Sequence, residues 1–136
     1  MRKTGLVLFM AGWMAVTAAA SDRALPAFRV PDCLGVNIHF VEPRDKELDQ
    51  IRAAGFGLVR MDFGWAAVEK EKGKYHFEGY QRLTQALWKR GMMPLYILDY
   101  SNPLYESSRS VLTAEGRQAF ARFAVEALKA IGTDRV

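Results

Sequence analysis

The sequence predicts an α/β fold built around a parallel β-sheet. After Pro31, three segments rich in β-branched and aromatic residues alternate with three segments of helical periodicity. The helical segments are about 10 to 20 residues long, which suits right-handed crossovers between parallel strands. Half of the residues are apolar, so the chain has the composition of a globular protein with a packed core.

The first unit begins with a strand predicted over residues 34–40, where β-branched and aromatic residues are bounded by Gly and Pro. Its helix is predicted over residues 45–54, because acidic residues occupy the first turn and apolar residues recur at spacings of three. Gly55 follows at the position where a glycine commonly ends a helix.

The second unit consists of a strand over residues 58–63, a long turn through Trp65, Glu69 and Gly73, and a helix over residues 78–90. The third unit begins with a strand over residues 93–99 and continues through a polar loop over residues 100–112. A helix capped by Thr113 follows and ends at Gly132. Its apolar stripe consists of Phe120, Phe123, Ala124, Ala127, Leu128 and Ile131.

This alternation is compatible with two architectures, a doubly wound open sheet and a closed (β/α)8 barrel. Two features favour the barrel. The turns after the strands are long and carry aromatic and polar side chains, and no glycine-rich phosphate-binding loop follows the first strand. Because such a barrel usually needs about 250 residues, we expect the three units to be the N-terminal part of a longer TIM barrel.

The N-terminus has the pattern of an export signal. Arg2 and Lys3 precede an apolar run over residues 6–16, and small residues follow up to Ala20. The sequence thus predicts a signal peptide over residues 1–20, an N-terminal segment over 21–33 and a truncated barrel domain over 34–136. We expect a secreted or periplasmic protein without stable membrane insertion. The alternative is an uncleaved anchor, although the run is shorter than the about 20 residues that span a bilayer.

The composition excludes several kinds of partner. Cys33 is the only cysteine, which rules out a disulfide framework within the chain and every multi-cysteine metal site. The net charge of +4 arises from residues of both signs mixed along the chain, without a basic stripe interleaved with aromatics. Nucleic acid is therefore not an expected partner, and no cofactor or metal is implied.

The candidate site residues lie at the carboxyl ends of the predicted strands, where parallel barrels bind their ligands. Asn37 and His39 are two residues apart and so share one face of the first strand. They are predicted to hydrogen-bond a substrate. The alternative is that His39 is a core histidine paired with a buried carboxylate.

Arg60 and Asp62 share one face of the second strand, where an unpaired buried charge would be costly. The functional interpretation is that Arg60 orients a carboxylate of the site through bidentate hydrogen bonds, which a lysine cannot reproduce. The alternative is a structural ion pair between Arg60 and Asp62.

The loops after the second and third strands supply further candidates. Trp65, Tyr100 and Tyr105 could stack on the apolar faces of sugar rings, with packed loop aromatics as the alternative. Asp99 could hydrogen-bond a substrate or cap its loop. For Asn102, which precedes Pro103, the role of a turn residue is favoured.

Four groups of residues, taken in order, resemble the retaining glycoside hydrolases of clan A. They are residues 35–39, residues 59–69, residues 73–80 and the exit of the third strand at residues 99–103. The resemblance is greatest to family 39 and its exopolysaccharide-hydrolase relatives, with family 5 close behind. It extends over roughly residues 34 to 131.

The resemblance implies a retaining double displacement. A glutamate in an Asn-Glu-Pro motif after the fourth strand would be the acid/base, and a glutamate at the seventh strand would be the nucleophile. Both are expected beyond Val136, so the chain alone is expected to be inactive. The resemblance also implies that Arg60 lies beneath the nucleophile and that His39 lies near the sugar. Trp65 and Asp99 are weaker matches.

The predicted activity is hydrolysis of O-glycosyl bonds in a polysaccharide or oligosaccharide. Such hydrolysis needs two carboxyl groups at a defined separation, and the sequence singles out no such pair among its own acidic residues. The predicted substrate-binding residues are Asn37, His39, Arg60, Trp65 and Asp99. The alternatives are a noncatalytic sugar-binding barrel, an inactive remnant, or a lyase or metal-dependent hydrolase, which His39 and His76 alone do not support.

Overall fold

The computed structural model of the protein describes residues 34–132. The predicted signal peptide (1–20), the segment 21–33 and residues 133–136 lie outside the described part. The strands are β1 (Gly35–Asn37), β2 (Leu58–Gly64) and β3 (Met93–Asp99). The helices are α1 (Asp45–Ala53), α2 (Trp65–Val68), α3 (Glu78–Lys89) and α4 (Ala114–Ile131). Over residues 34–132, no helix combines the length and the apolar character needed to cross a membrane.

The three strands form one parallel sheet in the order β1-β2-β3. Asn37 of β1 pairs with Arg60 of β2, and Arg60 in turn pairs with Leu95 of β3. Helix α1 connects the first two strands, and α2 and α3 connect β2 to β3. The predicted α/β fold with a parallel sheet is therefore confirmed for the described residues.

Helices cover one face of the sheet, and the other face is open in the described part of the chain. On β2, the side chains buried beneath the helices are Val59, Met61 and Phe63. Arg60 and Asp62 alternate with them and so lie on the opposite face. On β3 the same open face carries Leu95 and Ile97, which are 45% and 37% exposed. The open face therefore combines apolar and charged side chains.

The core between the sheet and the helices is rich in aromatic rings. Phe63 stacks on Tyr80 with ring centroids 3.8 Å apart, and Tyr96 meets both rings edge-on. The helices contribute the fully buried side chains of Leu48, Leu83, Leu87 and Phe123. These residues form the apolar faces of α1, α3 and α4 that pack against the sheet.

The apolar stripe predicted on α4 is covered over only part of its width. Phe123 and Ala127 are buried, whereas Leu128 is 50% exposed. An apolar groove separates α4 from β3, with Leu98 on one side and Leu128 and Ile131 on the other. This side of α4, next to the edge of β3, has no packing partner within residues 34–132.

The helix ends follow the predicted caps. Thr113 precedes α4, and its Oγ1 accepts a hydrogen bond of 2.8 Å from the backbone N–H of Gly116. Gly55 and Gly91 follow α1 and α3 with φ angles of 91° and 67°, a region that glycine enters without steric cost.

The predicted bounds agree with the structure within one residue, except at β1 and in the turn after β2. The strand predicted over residues 34–40 is confined to Gly35–Asn37, and its last ladder bond runs from the backbone N–H of Ile38 to the carbonyl of Arg60. The long turn predicted after β2 contains the one-turn helix α2, which closes when the N–H of Glu69 donates to the carbonyl of Trp65 at 3.0 Å.

Candidate functional site

A row of polar side chains crosses β1 and β2 at their carboxyl ends. The side-chain amide of Asn37 donates to Nε2 of His39 at 2.9 Å, and Nη1 of Arg60 donates to Oδ1 of Asn37 at 3.1 Å. The same Nη1 lies 2.5 Å from Oδ1 of Asp62. Strand pairing thus brings four polar residues into one continuous array on the open face.

The array bears on the interpretations left open for His39 and Arg60. Within residues 34–132, His39 is exposed and its ring bonds to Asn37, so the structure shows no buried pairing of His39 with a carboxylate there. Arg60 and Asp62 do form the ion pair that was the alternative to a functional role. The side chains of both remain about one-third exposed, at 36% and 33%, so pairing leaves them accessible to a ligand.

Asp99 ends β3 on the same side of the sheet. It is 7% exposed, and neither of its carboxylate oxygens has a hydrogen-bond partner among residues 34–132. Burial, and next the negative charge of Asp62, raises the pKa of Asp99 above its ordinary value of 3.8. The acid form of Asp99 is thus more favoured than that of an ordinary aspartate.

Trp65 does not belong to this site, and its prediction as a ligand-stacking residue is wrong. The side chain is fully buried, stacks on Tyr105 at 5.2 Å between ring centroids, and packs against Phe123. The short helix α2 turns the indole into the core beneath α4 instead of toward the open face. The alternative, a packed loop aromatic, describes both Trp65 and Tyr105.

Tyr100, by contrast, is 50% exposed in the loop after β3. The guanidinium of Arg109 covers one face of its ring, 3.8 Å from the centroid. Among the three aromatic residues considered as stacking candidates, Tyr100 is therefore the most accessible to a ligand.

Glu69 is a buried residue that sequence reasoning did not single out. It is 1% exposed, and its carboxylate accepts hydrogen bonds from Nε1 of Trp65, from the N–H of Gly73 at 2.6 Å and from the hydroxyl of Tyr105 at 2.6 Å. Asn102 adds a bond of 2.7 Å from Nδ2 to the Glu69 carbonyl. These contacts join the loops after β2 and β3 into one block beside the site.

The array offers both donors and acceptors of hydrogen bonds. The guanidinium of Arg60 is a pure donor, the carboxylate of Asp62 is an acceptor, and the amide of Asn37 is both. A mixture of this kind suits a polyhydroxylated ligand, because each hydroxyl group donates one hydrogen bond and accepts others. Within residues 34–132, no three His, Cys, Asp or Glu side chains are grouped closely enough to hold a metal ion.

Comparison with known proteins gives a match among the solved structures. No protein-family model and no curated protein matches the chain. A solved structure of a family 39 glycoside hydrolase from the gut symbiont Bacteroides cellulosilyticus WH2 is similar over 72% of this chain, with 32% identity and a TM-score of 0.63. The chain spans 22% of the length of that structure. The chain is therefore similar in sequence and in fold to part of a family 39 glycoside hydrolase.

Proposed function

We propose that the protein is a glycoside hydrolase in which residues 34–132 form the first three βα units of a (β/α)8 barrel. The observation that carries this proposal is the 32% identity, over 72% of the chain, to a family 39 glycoside hydrolase. In that proposal the open face of the sheet is the inside of the barrel, and the polar array lies at its mouth.

Two features of the fold support a closed barrel. Leu95 and Ile97 are exposed on the open face, where the interior side-chain layers of a barrel would cover them. The groove between β3 and α4 is apolar and borders the edge of β3, so a fourth parallel strand would cover both. A doubly wound sheet would instead require helices on the face that carries Arg60 and Asp62.

The polar array supports carbohydrate binding at the mouth. Arg60 is held by Asn37 and Asp62, which fixes the direction of its remaining N–H donors. We propose that Arg60 orients a catalytic carboxylate, and that His39 and Asn37 form hydrogen bonds with sugar hydroxyls. The two carboxyl groups of a retaining mechanism are proposed to lie in the full-length protein outside residues 34–132.

We also propose that the protein acts outside the cytoplasm. An export signal over residues 1–20 would place a polysaccharide hydrolase outside the cytoplasm, in the medium or the periplasm, where such substrates occur.

The test is an assay of the full-length protein on a panel of 4-nitrophenyl glycosides and plant and bacterial polysaccharides. We expect hydrolysis of at least one, with the first-formed product retaining the anomeric configuration of the substrate in a proton NMR time course. Inversion would overturn the retaining mechanism. Binding of a polysaccharide without hydrolysis would instead identify a noncatalytic sugar-binding barrel.

A further inference from the structure

Asp62 and Asp99 lie next to each other on the open face. Asp62 pairs with Ile97, and Asp99 pairs with Gly64, so the two acidic residues are diagonal neighbours on adjacent strands. Ile97 and Asp99 are two residues apart, which places both on the same face of β3 as their partners. Both carboxyl groups therefore lie at the carboxyl edge of the sheet.

The two carboxyl groups have three buried oxygens without an aligned hydrogen-bond donor among residues 34–132. They are Oδ1 of Asp62 and both oxygens of Asp99. Oδ1 of Asp62 does contact Nη1 of Arg60 at 2.5 Å, but as an ion pair without hydrogen-bond alignment. Buried polar atoms are nearly always paired, because leaving one unpaired costs free energy.

One proton shared between the two groups would pair two of these three oxygens with each other. A protonated carboxyl group is a donor and can bond to a neighbouring carboxylate, whereas two ionised groups repel each other. The raised pKa of Asp99 makes it the member that holds the proton. The titratable and charged groups around Asp99 are Arg60, Asp62, Tyr80, Tyr100 and Arg109.

We propose that Asp62 contacts the substrate, accepting a hydrogen bond from a free sugar hydroxyl, and that Asp99 in its acid form is a positioning residue that donates to the inner oxygen of Asp62. This inference rests on the proposed function. Asp99 is only 7% exposed, whereas the side chain of Asp62 is 33% exposed and presents its outer oxygen. Arg60 on one side and Asp99 on the other hold the carboxylate in one orientation.

The role of Asp62 is tested by removing either partner of the hydrogen bond. The ligands are the 4-nitrophenyl glycoside that the full-length protein hydrolyses and its monodeoxy counterparts. We expect Asp62→Ala to raise KM for the parent glycoside about 10- to 100-fold, as expected for loss of a hydrogen bond to a charged group. For the one deoxy glycoside that lacks the contacted hydroxyl, the KM values of wild type and variant should agree within a few fold.

An equal effect of Asp62→Ala on the parent and on every deoxy glycoside would overturn the proposed contact. If the alanine variant does not fold, Asp62→Asn replaces it, with an expected rise in KM of about 10-fold. If either variant still hydrolyses the glycosides but changes KM equally for the parent and every deoxy glycoside, the proposed function stands. Only the proposed contact of Asp62 is then overturned.

The role of Asp99 is tested by pH. In the wild type, KM should rise as pH increases through the pKa of Asp99, because the ionised group can no longer donate. Asp99→Asn keeps a donor at every pH and should flatten this dependence. Asp99→Leu has a similar size but no donor and should raise KM at all pH values. Equal KM profiles for the two variants, or a wild-type pH dependence unchanged in Asp99→Asn, would contradict the positioning role.

Discussion

The indole N–H of Trp65 donates to the carboxylate of Glu69, one helical turn farther along the chain, and both side chains are buried. This contact links α2 to the loop after β3, because the hydroxyl of Tyr105 donates to the same carboxylate. The two loops that border the candidate site are therefore fixed to each other by a buried charge. A rigid support of this kind preorganises a site for its ligand.

Replacing Glu69 by alanine should destabilise the fold. Three donors, on Trp65, Gly73 and Tyr105, would lose their acceptor inside the protein. We expect a loss of about 3 kcal/mol or more in the free energy of unfolding, measured by chemical denaturation of the full-length protein.

The matched control is Glu71→Ala, two residues away. Glu71 pairs with Lys74 at 2.5 Å, but both side chains are 69% exposed, and exposed pairs contribute about 0 to 1 kcal/mol. Similar losses for the two variants would show that Glu69 is not the buried acceptor described above.

Gly116→Ala should also destabilise the fold, although an alanine normally stabilises a helix by about 1 kcal/mol relative to glycine. A Cβ at this position would lie 1.8 Å from Oε1 of Glu106. That oxygen accepts hydrogen bonds from the N–H of Leu112 and from the N–H and hydroxyl of Thr113. Displacing this oxygen would disrupt the start of α4. We expect the free energy of unfolding to fall by about 2 kcal/mol or more.

Gly64→Ala provides the comparison. At Gly64 the backbone has φ of −70°, and the nearest neighbour of an added Cβ is Cβ of Ala67 at 3.7 Å, an ordinary contact. Thermal unfolding should therefore separate the two glycine variants by several degrees. A Gly116→Ala variant as stable as Gly64→Ala would contradict the described position of Glu106.

Two tyrosines should ionise near pH 12. Burial raises the pKa of Tyr96 to about 12, and burial together with the hydrogen bond to Glu69 raises that of Tyr105 to about 12. Since both folded values lie above the ordinary 10, the associated stability is present below pH 10 and is lost as pH rises toward 12.

A near-ultraviolet titration checks this prediction. Tyr105→Phe should remove one tyrosine that ionises near pH 12 and leave the earlier part of the curve unchanged. Loss of a tyrosine that ionises near pH 10 would show instead that the Tyr105 hydroxyl is open to solvent.

The pattern of the sequence predicted most of the fold because the relevant signals are local. Glycines such as Gly55 and Gly91 mark helix ends through backbone conformation, and Thr113 caps α4 through its own hydroxyl. Because side chains alternate between the two faces of a strand, the sequence of β2 places Arg60 on the face opposite the buried Phe63. These features depend on residues only a few positions apart.

The roles of Trp65 and Glu69 depend on contacts that local patterns do not encode. Their spacing of four would have suggested a hydrogen bond within a helix, but a one-turn helix gives no periodic signal in the sequence. Tyr105, which completes the network, is 36 residues beyond Glu69. The row from His39 to Asp62 likewise required the register of β1 on β2, which brings Asn37 beside Arg60.

The most direct test of the central claim is the kcat/KM of Arg60 variants of the full-length protein on its glycoside substrate. Because Arg60 is assigned to orient a catalytic carboxylate, Arg60→Ala should lower kcat/KM by about 100-fold or more, and Arg60→Lys should recover little of it. The variant's circular dichroism and thermal unfolding establish that the fold is kept. A folded Arg60→Ala variant with kcat/KM within a few fold of wild type would contradict the assignment of the site.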